Sequence, residues 1–392
     1  MSKKGWDEVK LFDILDLQNG YAFKPADLGE TGTPVIRIKQ LFDPLVEIDH
    51  SEKEIPEKFK IDSGDVIFTW SARIDVAIWD RGEAYLNQHL FKVTSRDESR
   101  LLPEFVYMVI LDLIPRLTSH GTTMKHVTKA ELAKQFIYLP PVEEQREIVK
   151  FVQAIDNLIQ AGDREIISAE QMRVDVLKTV LTDRANEWDY TPLREVATWR
   201  SGATPKAGNP EFYHGGTIKW AKIGDVQNAP IYDTETKITE AGFEKIKKIA
   251  PVGSTLIAMY GASIGRSAFV MNEMATNQAI LCGIPDEEVI VPEFLFLSAL
   301  NLEDEFHRQG RGAAQPNINK TIIGDQEIPL PPLEEQEKIV EKMQALDAYL
   351  ESAKRSQEAL KQVRKDALHA LLSGDKDVRE LAEMFAIDED VA

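Results

Sequence analysis

Two stretches of this sequence carry apolar side chains at alternating intervals of three and four residues, the spacing that lines up side chains along one stripe of an α-helix. The pattern predicts one long helix that ends near Leu181-Thr182 and a second that ends near Leu372, each about 60 Å long at 1.5 Å per residue. The first stripe consists of Ile148, Val152, Ile155, Ile159, Gly162, Ile166, Ala169, Arg173, Val176 and Val180, and the second of Ile339, Met343, Leu346, Leu350, Ala353, Gln357, Leu360, Arg364, Ala367 and Leu371.

The start of each predicted helix is marked by prolines followed by acidic side chains. Pro140-Pro141 and Pro331-Pro332 stand just before the helices, where proline is tolerated, and not in their interiors, where it is not. Negative charge in the first turns favours the positive end of the helix dipole. The glutamates concerned are Glu143, Glu144 and Glu147 in the first copy and Glu334, Glu335 and Glu337 in the second.

The two helical stretches belong to an internal repeat. The segment Ile137–Leu158 recurs as Ile328–Tyr349 at an offset of 191, with 12 of 22 residues identical. Asn87-Gln88 and Asn277-Gln278 also correspond, at an offset of 190. A repeat of this length predicts a tandem duplication of a globular module followed by a long helix.

Two such apolar stripes in one chain can pack in two ways. They can pack on each other, antiparallel, as a coiled-coil bar, or each can pack on the core of its own module. The length of about 40 residues favours the bar, because helices within globular domains are usually much shorter.

The modules themselves predict a mixed, strand-rich architecture, so that the fold class is α+β. Helical stretches are expected near Glu104–Leu117 and Glu293–Gln309. The predicted strands are Pro34–Lys39, Asp65–Trp70, Ala84–Thr94, Ile218–Ile223, Ser254–Tyr260 and Ala275–Cys282. The expected domains are a first globular module (1–139), a first helical spacer (140–187), a second globular module (188–330), a second helical spacer (331–374) and an acidic C-terminal tail (375–392), which forms either a short helix or a disordered segment.

The net charge of −19, taken alone, disfavours a nucleic-acid ligand, because affinity for a polyanion comes largely from Lys and Arg at phosphates. The distribution changes this picture. The two helical segments hold −10 in 110 residues, and the two modules hold −9 in 282. The charge therefore predicts weak DNA binding by the isolated chain without excluding it.

A search for catalytic and cofactor motifs is negative. The sequence has no phosphate-binding glycine loop of the Walker or dinucleotide type and no His/Cys cluster at metal-ligand spacing, so we expect no catalytic residue, no metal and no cofactor in this chain. The run from Gly261 to Arg266 superficially resembles an anion-binding loop, but a tight turn between strands is the better interpretation. Cys282, the single cysteine, is expected to be a buried structural thiol.

The sequence shows neither a membrane-spanning segment nor a signal peptide. No apolar run reaches the roughly 20 residues that cross a bilayer, and residues 1–10 lack the apolar core of a signal peptide. We therefore expect a cytoplasmic protein with no membrane association.

The doubled LPP-[VL]-EEQ-x-x-IV entry into a long helix resembles the specificity (S) subunits of type I restriction–modification systems. Gly261 to Gly265, Asn277-Gln278-Ala279 and the stretch Asn317–Leu330 are also similar to that family. The resemblance covers essentially the whole chain. The first module departs from it where Trp70 to Asp75 replaces the glycine-rich loop.

The resemblance implies that each module, 1–139 and 188–330, is a target recognition domain that reads one half of a split, asymmetric double-stranded DNA target. The helices would act as a spacer and as the docking surface for two methyltransferase subunits, and motor–nuclease subunits would join them. S-adenosylmethionine would belong to the methyltransferase partner. Helix length would then set the number of unread base pairs, at about 34 Å per DNA turn. The residues that represent the partner-binding helices are Ile148, Ile155, Ile166, Ile339, Leu346 and Leu360.

Candidate DNA contacts are Arg, Lys, His, Asn and Gln side chains in or beside turn-like segments, since these side chains read base edges and bind phosphates. Each of them has an ordinary solvated surface position as its alternative. In the first module they are Lys24, Arg37, Lys39, Arg73, Lys125 and His126; in the second they are Lys206, Lys222, Arg266, Arg311, Gln315, Asn317 and Lys320. The repeated position of Gln88 and Gln278 favours a structural role for both.

Two other functions remain open at this point. A specificity-like chain that binds methyltransferase subunits without reading a sequence would be a scaffold or an inhibitor, and the acidic balance favours that class slightly. An enzyme with an unrecognised active site would need a cluster of perturbed titratable groups in a cleft. Two modules of about 140 residues exceed what a docking bar alone requires, which favours the reading subunit.

Overall fold

A computed structural model describes residues 5–43, 46–71, 73–118, 129–182, 188–310 and 317–385. The chain divides into two compact units, Met1–Asp163 with Arg355–Ala392 and Arg164–Lys354. Each unit therefore contains one module and a part of both long helices. The domain boundaries at 139, 187, 330 and 374 stay predictions.

The two long helices are present with the predicted ends. The first long helix is Val142–Thr182 and the second is Leu333–Ser373, 41 residues each. Every position of the two apolar stripes is buried or half-buried. No helix in the described ranges combines the length and the apolar character needed to span a membrane.

A buried glutamine fixes the start of each long helix. Gln145 Nε2 donates to the carbonyls of Pro140 (2.8 Å) and Arg100 (2.7 Å), and Gln145 Oε1 accepts the backbone N–H of Leu102 at 3.0 Å. The glutamine of the repeated EEQ motif thus joins the proline turn to the segment that leads into the preceding helix.

The second copy repeats this arrangement. Gln336 Nε2 donates to the carbonyls of Pro331 (2.8 Å) and Val289 (3.2 Å), and its Oε1 accepts the backbone N–H of Val291 at 2.8 Å. Both glutamine side chains are fully buried. The identity of this residue in the two repeats therefore has a structural cause.

The described residues of the first unit form two four-stranded sheets and a short ladder. The sheets run, in order of pairing, Leu15–Asn19, Leu90–Ser95, Val66–Ser71, Arg73–Ile78, and Asp49–Ser51, Thr33–Ile36, Ala84–Leu86, Lys60–Ile61. Asp7–Lys10 pairs antiparallel with Phe136–Leu139, so that the two ends of the module meet where the first long helix begins. Its other helices are Leu11–Ile14, Ile38–Phe42, Pro103–Thr118, Lys129–Leu132 and Val378–Phe385, with 3-10 turns at Pro25–Asp27 and Glu57–Phe59.

The core of the first unit joins the module to both long helices. Ile148 and Ile155 of the first long helix and Leu368 and Leu371 of the second belong to one buried apolar cluster. The C-terminal helix adds Val378, Leu381 and Ala382 to it. Of the two forms proposed for the acidic tail, residues 378–385 take the helical one.

The second unit repeats the plan with a larger main sheet. The sheets run Ala197–Ser201, Ile280–Pro285, Thr255–Ala258, Ser267–Val270, Ala229–Ile231, and Lys237–Ile238, Ile218–Ala221, Ala275–Thr276. Tyr190–Pro192 pairs antiparallel with Glu327–Pro329. The helices are Leu193–Val196, Pro210–Tyr213, Glu240–Ile246, Pro292–Asn301, Glu303–Gly310 and Lys320–Gly324, with 3-10 turns at Ile223–Asp225 and Gly261–Ser263.

In each unit the two long helices lie antiparallel against each other. In the first unit Asp156 pairs with Arg364, and seven residues later Asp163 contacts Gln357 and Lys361. In the second unit Glu170 pairs with Lys354 and Arg173 with Asp347. Residue numbers increase along one helix and decrease along the other, so the predicted antiparallel pairing of the stripes is confirmed. Each stripe also packs on a module core.

Four predicted elements differ from the structure. The runs Ala84–Thr94 and Ala275–Cys282 are each two strands in different sheets, because the turns at Asn87 and Asn277 close between them. The stretch Glu293–Gln309 is two helices that break at Leu302. Lys39, expected in a strand, lies in the helix Ile38–Phe42.

Candidate nucleic-acid interface

In the second module an asparagine–glutamine turn (Asn277-Gln278) joins the two sheets. The backbone N–H of Asn277 donates to the carbonyl of Ala221 at 2.9 Å, and the Asn277 side-chain oxygen accepts the N–H of Ala279 at 3.1 Å. The turn closes when the N–H of Ile280 donates to the Asn277 carbonyl at 3.2 Å. The asparagine is therefore a structural residue of the turn.

A glycine packs directly on this turn. The N–H of Gly202 donates to the carbonyl of Ile280 at 3.1 Å, and the next N–H, that of Ala203, donates to Thr276 at 2.8 Å. A Cβ atom at residue 202 would lie 2.2 Å from the carbonyl oxygens of Asn277 and Thr276. Only glycine allows this approach of two backbones.

The first module has the same arrangement. The N–H groups of Gly20 and Tyr21 donate to the carbonyls of Leu90 (3.1 Å) and Leu86 (2.7 Å), and the N–H of Asn87 donates to Ile36 at 3.1 Å. A Cβ atom at residue 20 would lie 2.3 Å from the carbonyl oxygens of Asn87 and Leu86. Gly20 thus corresponds to Gly202.

The glutamine of each turn behaves differently from the asparagine. Gln88 and Gln278 are exposed. Gln278 is bonded to the hydroxyl of Thr204, and Gln88 lies 3.5 Å from the His89 ring nitrogen. Their shared position suggested a structural role, but that role belongs to the asparagines, and the glutamine side chains face solvent.

Three predicted contacts of the second module lie around this turn. Lys206 is exposed, four residues after Gly202. Lys222 follows the strand Ile218–Ala221 and precedes the 3-10 turn Ile223–Asp225. Arg266 Nη1 donates to Gln227 Oε1 at 2.9 Å, and Gln227 in turn donates to the Gly224 carbonyl at 2.6 Å. This chain of contacts connects Arg266 to the turn that Lys222 opens.

Asn317, another predicted DNA contact of the second module, lies beside the loop between the strands Thr255–Ala258 and Ser267–Val270. Asn317 forms a β-bridge with Tyr260, and the N–H of Ile318 donates to the Met259 carbonyl at 3.0 Å. Lys320 is exposed at the start of the helix Lys320–Gly324. Arg311 and Gln315 lie outside the described residues.

Sequence reasoning missed Tyr260 in this loop. Its side chain is 44% exposed beside Asn317, at the entry to the 3-10 turn Gly261–Ser263. The glycines at 261 and 265 both have positive φ, which confirms the interpretation of this run as a tight turn. An aromatic residue directly before a glycine-flanked turn was the available signal.

In the first module three predicted DNA contacts, Arg37, Lys39 and Arg73, lie at the helix Ile38–Phe42. Arg37 precedes this helix and pairs with Asp49 at 2.8 Å, and Lys39 is exposed within it. The guanidinium carbon of Arg73 lies 3.7 Å from the centroid of the Phe42 ring, and Arg73 Nε donates to Asp75 at 2.8 Å. Lys24 is exposed beside the 3-10 turn Pro25–Asp27. Lys125 and His126 lie outside the described residues.

The side chains chosen to represent the partner-binding helices need a correction. Ile148, Ile155 and Ile339 are buried inside the chain itself, with at most 2% of each side chain exposed. Ile166, Leu346 and Leu360 are half-buried. A coiled-coil stripe that packs internally cannot present its apolar side chains to another protein. Whether other faces of the helices bind a partner stays a prediction.

The first long helix also exposes apolar side chains outside its packed stripe. Within the second unit Ile167, Met172 and Val174 are 66%, 56% and 42% exposed. The equivalent positions of the second long helix, at an offset of 191, are Glu358, Val363 and Lys365. The exposed apolar character is therefore specific to the first helix.

Candidate metal ligands do not assemble in the described ranges. No group of three or more His, Cys, Asp or Glu side chains there is arranged to hold a metal ion. Cys282 is buried in the strand Ile280–Pro285, as predicted, and burial raises the pKa of its thiol.

The sequence profile of the type I restriction modification DNA specificity domain matches residues 3–170 and 185–362. The chain belongs to this family. Each copy of the domain takes in one module and most of the long helix that follows it, so the duplication read from the sequence is a duplication of the DNA specificity domain.

Relatives and solved structures agree with this assignment. The chain is 23% identical over 410 residues to the type I restriction enzyme MjaVIII specificity subunit of Methanocaldococcus jannaschii, covering 96% of this chain and 94% of that protein. It is 23% identical over 386 residues to the EcoBI specificity subunit of Escherichia coli, covering 88% and 80%.

The fold is shared as well. A chain solved in a study of complex assembly and conformational transition of the type I R-M system matches with a TM-score of 0.68 at 18% identity, covering 96% of this chain and 100% of that one. The type I restriction–modification S subunit from M. genitalium matches with a TM-score of 0.51 at 16% identity, covering 95% and 99%.

Proposed function

We propose that this specificity subunit reads a bipartite, asymmetric DNA sequence, one half with each module, and directs methyltransferase and motor–nuclease subunits to it. The observation that carries the proposal is a difference between the two modules at one place in a common framework. The asparagine–glutamine turn and its glycine recur in both modules, but the loop of the neighbouring hairpin differs between them.

The two hairpins differ in length and chemistry. In the first module the strands Val66–Ser71 and Arg73–Ile78 pair as far as Ser71 with Arg73. In the second module the corresponding strands close when Arg266 pairs with Ala258, and residues 259–265 form a loop that carries Tyr260. Different side chains held on one framework read different base edges, which favours two unlike half-sites.

The partner interactions rest on different surfaces. DNA affinity of the isolated chain is expected to be weak because its net charge is −19. Partner subunits that bind DNA themselves would supply the missing affinity. The exposed apolar side chains Ile167 and Val174, seven residues apart on one face of the helix, are the surface that we assign to a methyltransferase subunit, since exposed apolar patches mark protein interfaces.

In this proposal the chain performs no catalysis. Methylation of adenine, with S-adenosylmethionine as the methyl donor, belongs to the methyltransferase, and DNA cleavage belongs to the motor–nuclease. The specificity subunit contributes positioning, because phosphate contacts set register and base contacts set sequence.

The experiment is to co-express this chain with its cognate methyltransferase subunit and to map methylated adenines across the host genome by single-molecule sequencing. We expect one bipartite motif with unlike halves, present only when this chain is supplied. A stable complex that methylates no defined motif would contradict the reading function and would favour a scaffold or inhibitor.

The spacing between the half-sites is tested in the same assay. Inserting four residues into both long helices, near Gly162 and Ala353, is expected to lengthen the unread gap and to leave both halves of the motif unchanged. The reason is that helix length grows by about 1.5 Å per residue. A gap of unchanged length would exclude the helices as the spacer.

A further inference from the structure

The two modules share two basic positions that the framework places identically. Lys24 and Lys206 each lie four residues after the glycine that packs on the asparagine–glutamine turn. The carbonyl of Lys24 accepts the N–H of Asp27 at 2.9 Å, and the carbonyl of Lys206 accepts the N–H of Asn209 at 3.4 Å. Both lysines therefore open the same type of turn, with their side chains exposed.

The second shared position follows the strand whose last residue binds the asparagine–glutamine turn. That residue is Ile36 in the first module and Ala221 in the second, so that Arg37 corresponds to Lys222. The carbonyl of Arg37 accepts the N–H of Leu41 at 3.1 Å, and the carbonyl of Lys222 accepts the N–H of Asp225 at 2.9 Å. Each residue thus starts a short helical segment.

The surrounding sequence is not shared to this extent. Between Gly20 and Lys24 the chain reads Tyr-Ala-Phe, and between Gly202 and Lys206 it reads Ala-Thr-Pro. Positive charge at both positions is therefore kept in two modules whose other exposed side chains differ. In the described part of the chain Lys24, Lys206 and Lys222 form no ion pair, whereas Arg37 pairs with Asp49 at 2.8 Å.

The chemistry of the ligand decides what such residues contact. Two modules that read unlike half-sites face different bases, but the phosphate backbone is the same in both halves. Side chains that contact bases must differ between the modules, and side chains that contact phosphates need not. A cation repeated at the same place in the framework fits the common part of the ligand.

We propose that Lys24 and Arg37 in the first module, and Lys206 and Lys222 in the second, form a shared phosphate clamp that sets the register of each module on DNA. Base reading is then left to the unlike hairpins, at Arg73 in the first module and at Tyr260 and Arg266 in the second. This inference rests on the proposed function, since it assigns roles within that same DNA interface.

The test uses the complex of the full chain with its methyltransferase subunits. Affinity for a duplex carrying the mapped motif, and for an unrelated duplex, is measured by fluorescence anisotropy between 50 and 200 mM salt. The variants are Lys24→Ala, Lys206→Ala and Lys222→Ala, with Lys245→Ala as the matched control, because Lys245 is an exposed lysine of the second module that lies outside the two shared positions, in the helix Glu240–Ile246.

Each clamp variant is expected to lower the slope of log K against log salt by about 0.9, on both duplexes. The affinity ratio of wild type to variant then falls about 3-fold across that salt range, because fewer counterions are released. The methylated motif itself stays unchanged. Lys245→Ala keeps the wild-type slope.

Three results would overturn the assignment. An unchanged slope in the clamp variants would mean that these lysines do not contact phosphates, and a motif relaxed at one base pair would mean that they read bases. An equal loss of slope in Lys245→Ala would mean that any surface cation has this effect. Failure of the proposed function is distinct, because the wild-type complex would then produce no methylated motif at all.

Discussion

Arg364 and Asp156 form a two-pronged ion pair between the long helices within the first unit. The Nε atom of Arg364 bonds Asp156 Oδ1, and Nη2 lies 3.0 Å from Oδ2. The guanidinium is largely buried. Burial opposes its charged form, but the hydrogen bond and the charge of Asp156 outweigh burial and raise the pKa of Arg364. Arg364 therefore stays charged inside the helix pair.

Replacing Arg364 by Met is expected to destabilise the first unit. The Asp156 carboxylate would be left partly buried without its partner, at a cost of about 1–3 kcal/mol. Arg364→Lys is expected to recover only part of this loss, since one ammonium cannot form two parallel bonds to a carboxylate. The measurement is urea unfolding followed by circular dichroism.

The control is the double variant Asp156→Leu with Arg364→Met, which removes both charges together. It should be more stable than the single variant, because no unpaired charge remains. If the single variant unfolds at the wild-type urea concentration, the pair contributes nothing measurable and the argument is wrong. The equivalent pair Arg173 and Asp347, at an offset of 191, offers the same test in the second unit.

The glutamine that begins each long helix should be intolerant of substitution. Gln145→Leu keeps most of the volume but leaves the Leu102 N–H and the carbonyls of Arg100 and Pro140 without their partner. A loss of about 2–4 kcal/mol is expected, because each buried polar group left unsatisfied costs about 1–3 kcal/mol. Thermal unfolding of the purified chain measures it.

Gln171 provides the comparison, since it is an exposed glutamine on the same helix that bonds only Asp175 within the described residues. Gln171→Leu is expected to change stability by less than about 0.5 kcal/mol. Equal effects of the two substitutions would show that burial of Gln145 does not matter.

The sequence predicts those structural features of this protein that depend on local interactions. The repeat Ile137–Leu158 and Ile328–Tyr349 predicted both long helices with their ends, because apolar spacing and proline placement act locally. The split of Ala84–Thr94 into two sheets was not predicted, since the turn at Asn87 depends on a backbone bond to Ile36, 51 residues earlier in the chain. Local propensity carries no information about that bond.

In the candidate DNA interface, too, equivalent positions could not be recognised from local sequence. Lys24 and Lys206 were chosen for their residue type and turn-like surroundings, but their equivalence appeared only when Gly20 and Gly202 were seen to make the same backbone bonds. The offsets of 182, 185 and 190 differ along the modules, so a gapless comparison of the sequence does not align these positions.

Gly202→Ala is expected to disrupt the framework of the second module. The new methyl carbon would lie 2.2 Å from the carbonyl oxygens of Asn277 and Thr276, a distance that real carbon atoms do not adopt, so the turn must move. Recognition of one half-site should be lost or relaxed while the other half is read normally. Methylome mapping of the co-expressed variant measures this directly.

Gly224→Ala is the matched control for that experiment. A Cβ atom at residue 224 would meet nothing within 4 Å, and the residue lies in the 3-10 turn next to Lys222. It is expected to leave the motif unchanged. A normal motif in Gly202→Ala would mean that the close approach of the two backbones has no role in reading DNA.

Cys282 is expected to report unfolding of the second unit. The side chain is 3% exposed, and burial raises the pKa of its thiol, so that little thiolate forms at pH 8. Alkylation by iodoacetamide should be at least about 100-fold slower than that of glutathione, since the thiolate is the nucleophile. Labelling should accelerate in urea together with the loss of helical signal. Rapid labelling without urea would contradict the burial.

The exposed apolar side chains of the first long helix lead to the last prediction. Ile167→Asp and Val174→Asp are expected to weaken binding of the methyltransferase subunit by at least about 10-fold each, because an interface would have to bury an unpaired carboxylate. Stability of the isolated chain should change by less than about 0.5 kcal/mol, since both side chains already face solvent. Analytical ultracentrifugation of the mixed subunits measures the association.

Glu358→Gln is the control, because Glu358 occupies the position of Ile167 in the second long helix and is also exposed. If the partner binds through apolar side chains of the first helix, this substitution leaves the association unchanged. Equal binding by wild type and by the Ile167→Asp and Val174→Asp variants would exclude this face. Docking would then have to use side chains common to both helices, and the chemical difference between Ile167 and Glu358 would have no bearing on assembly.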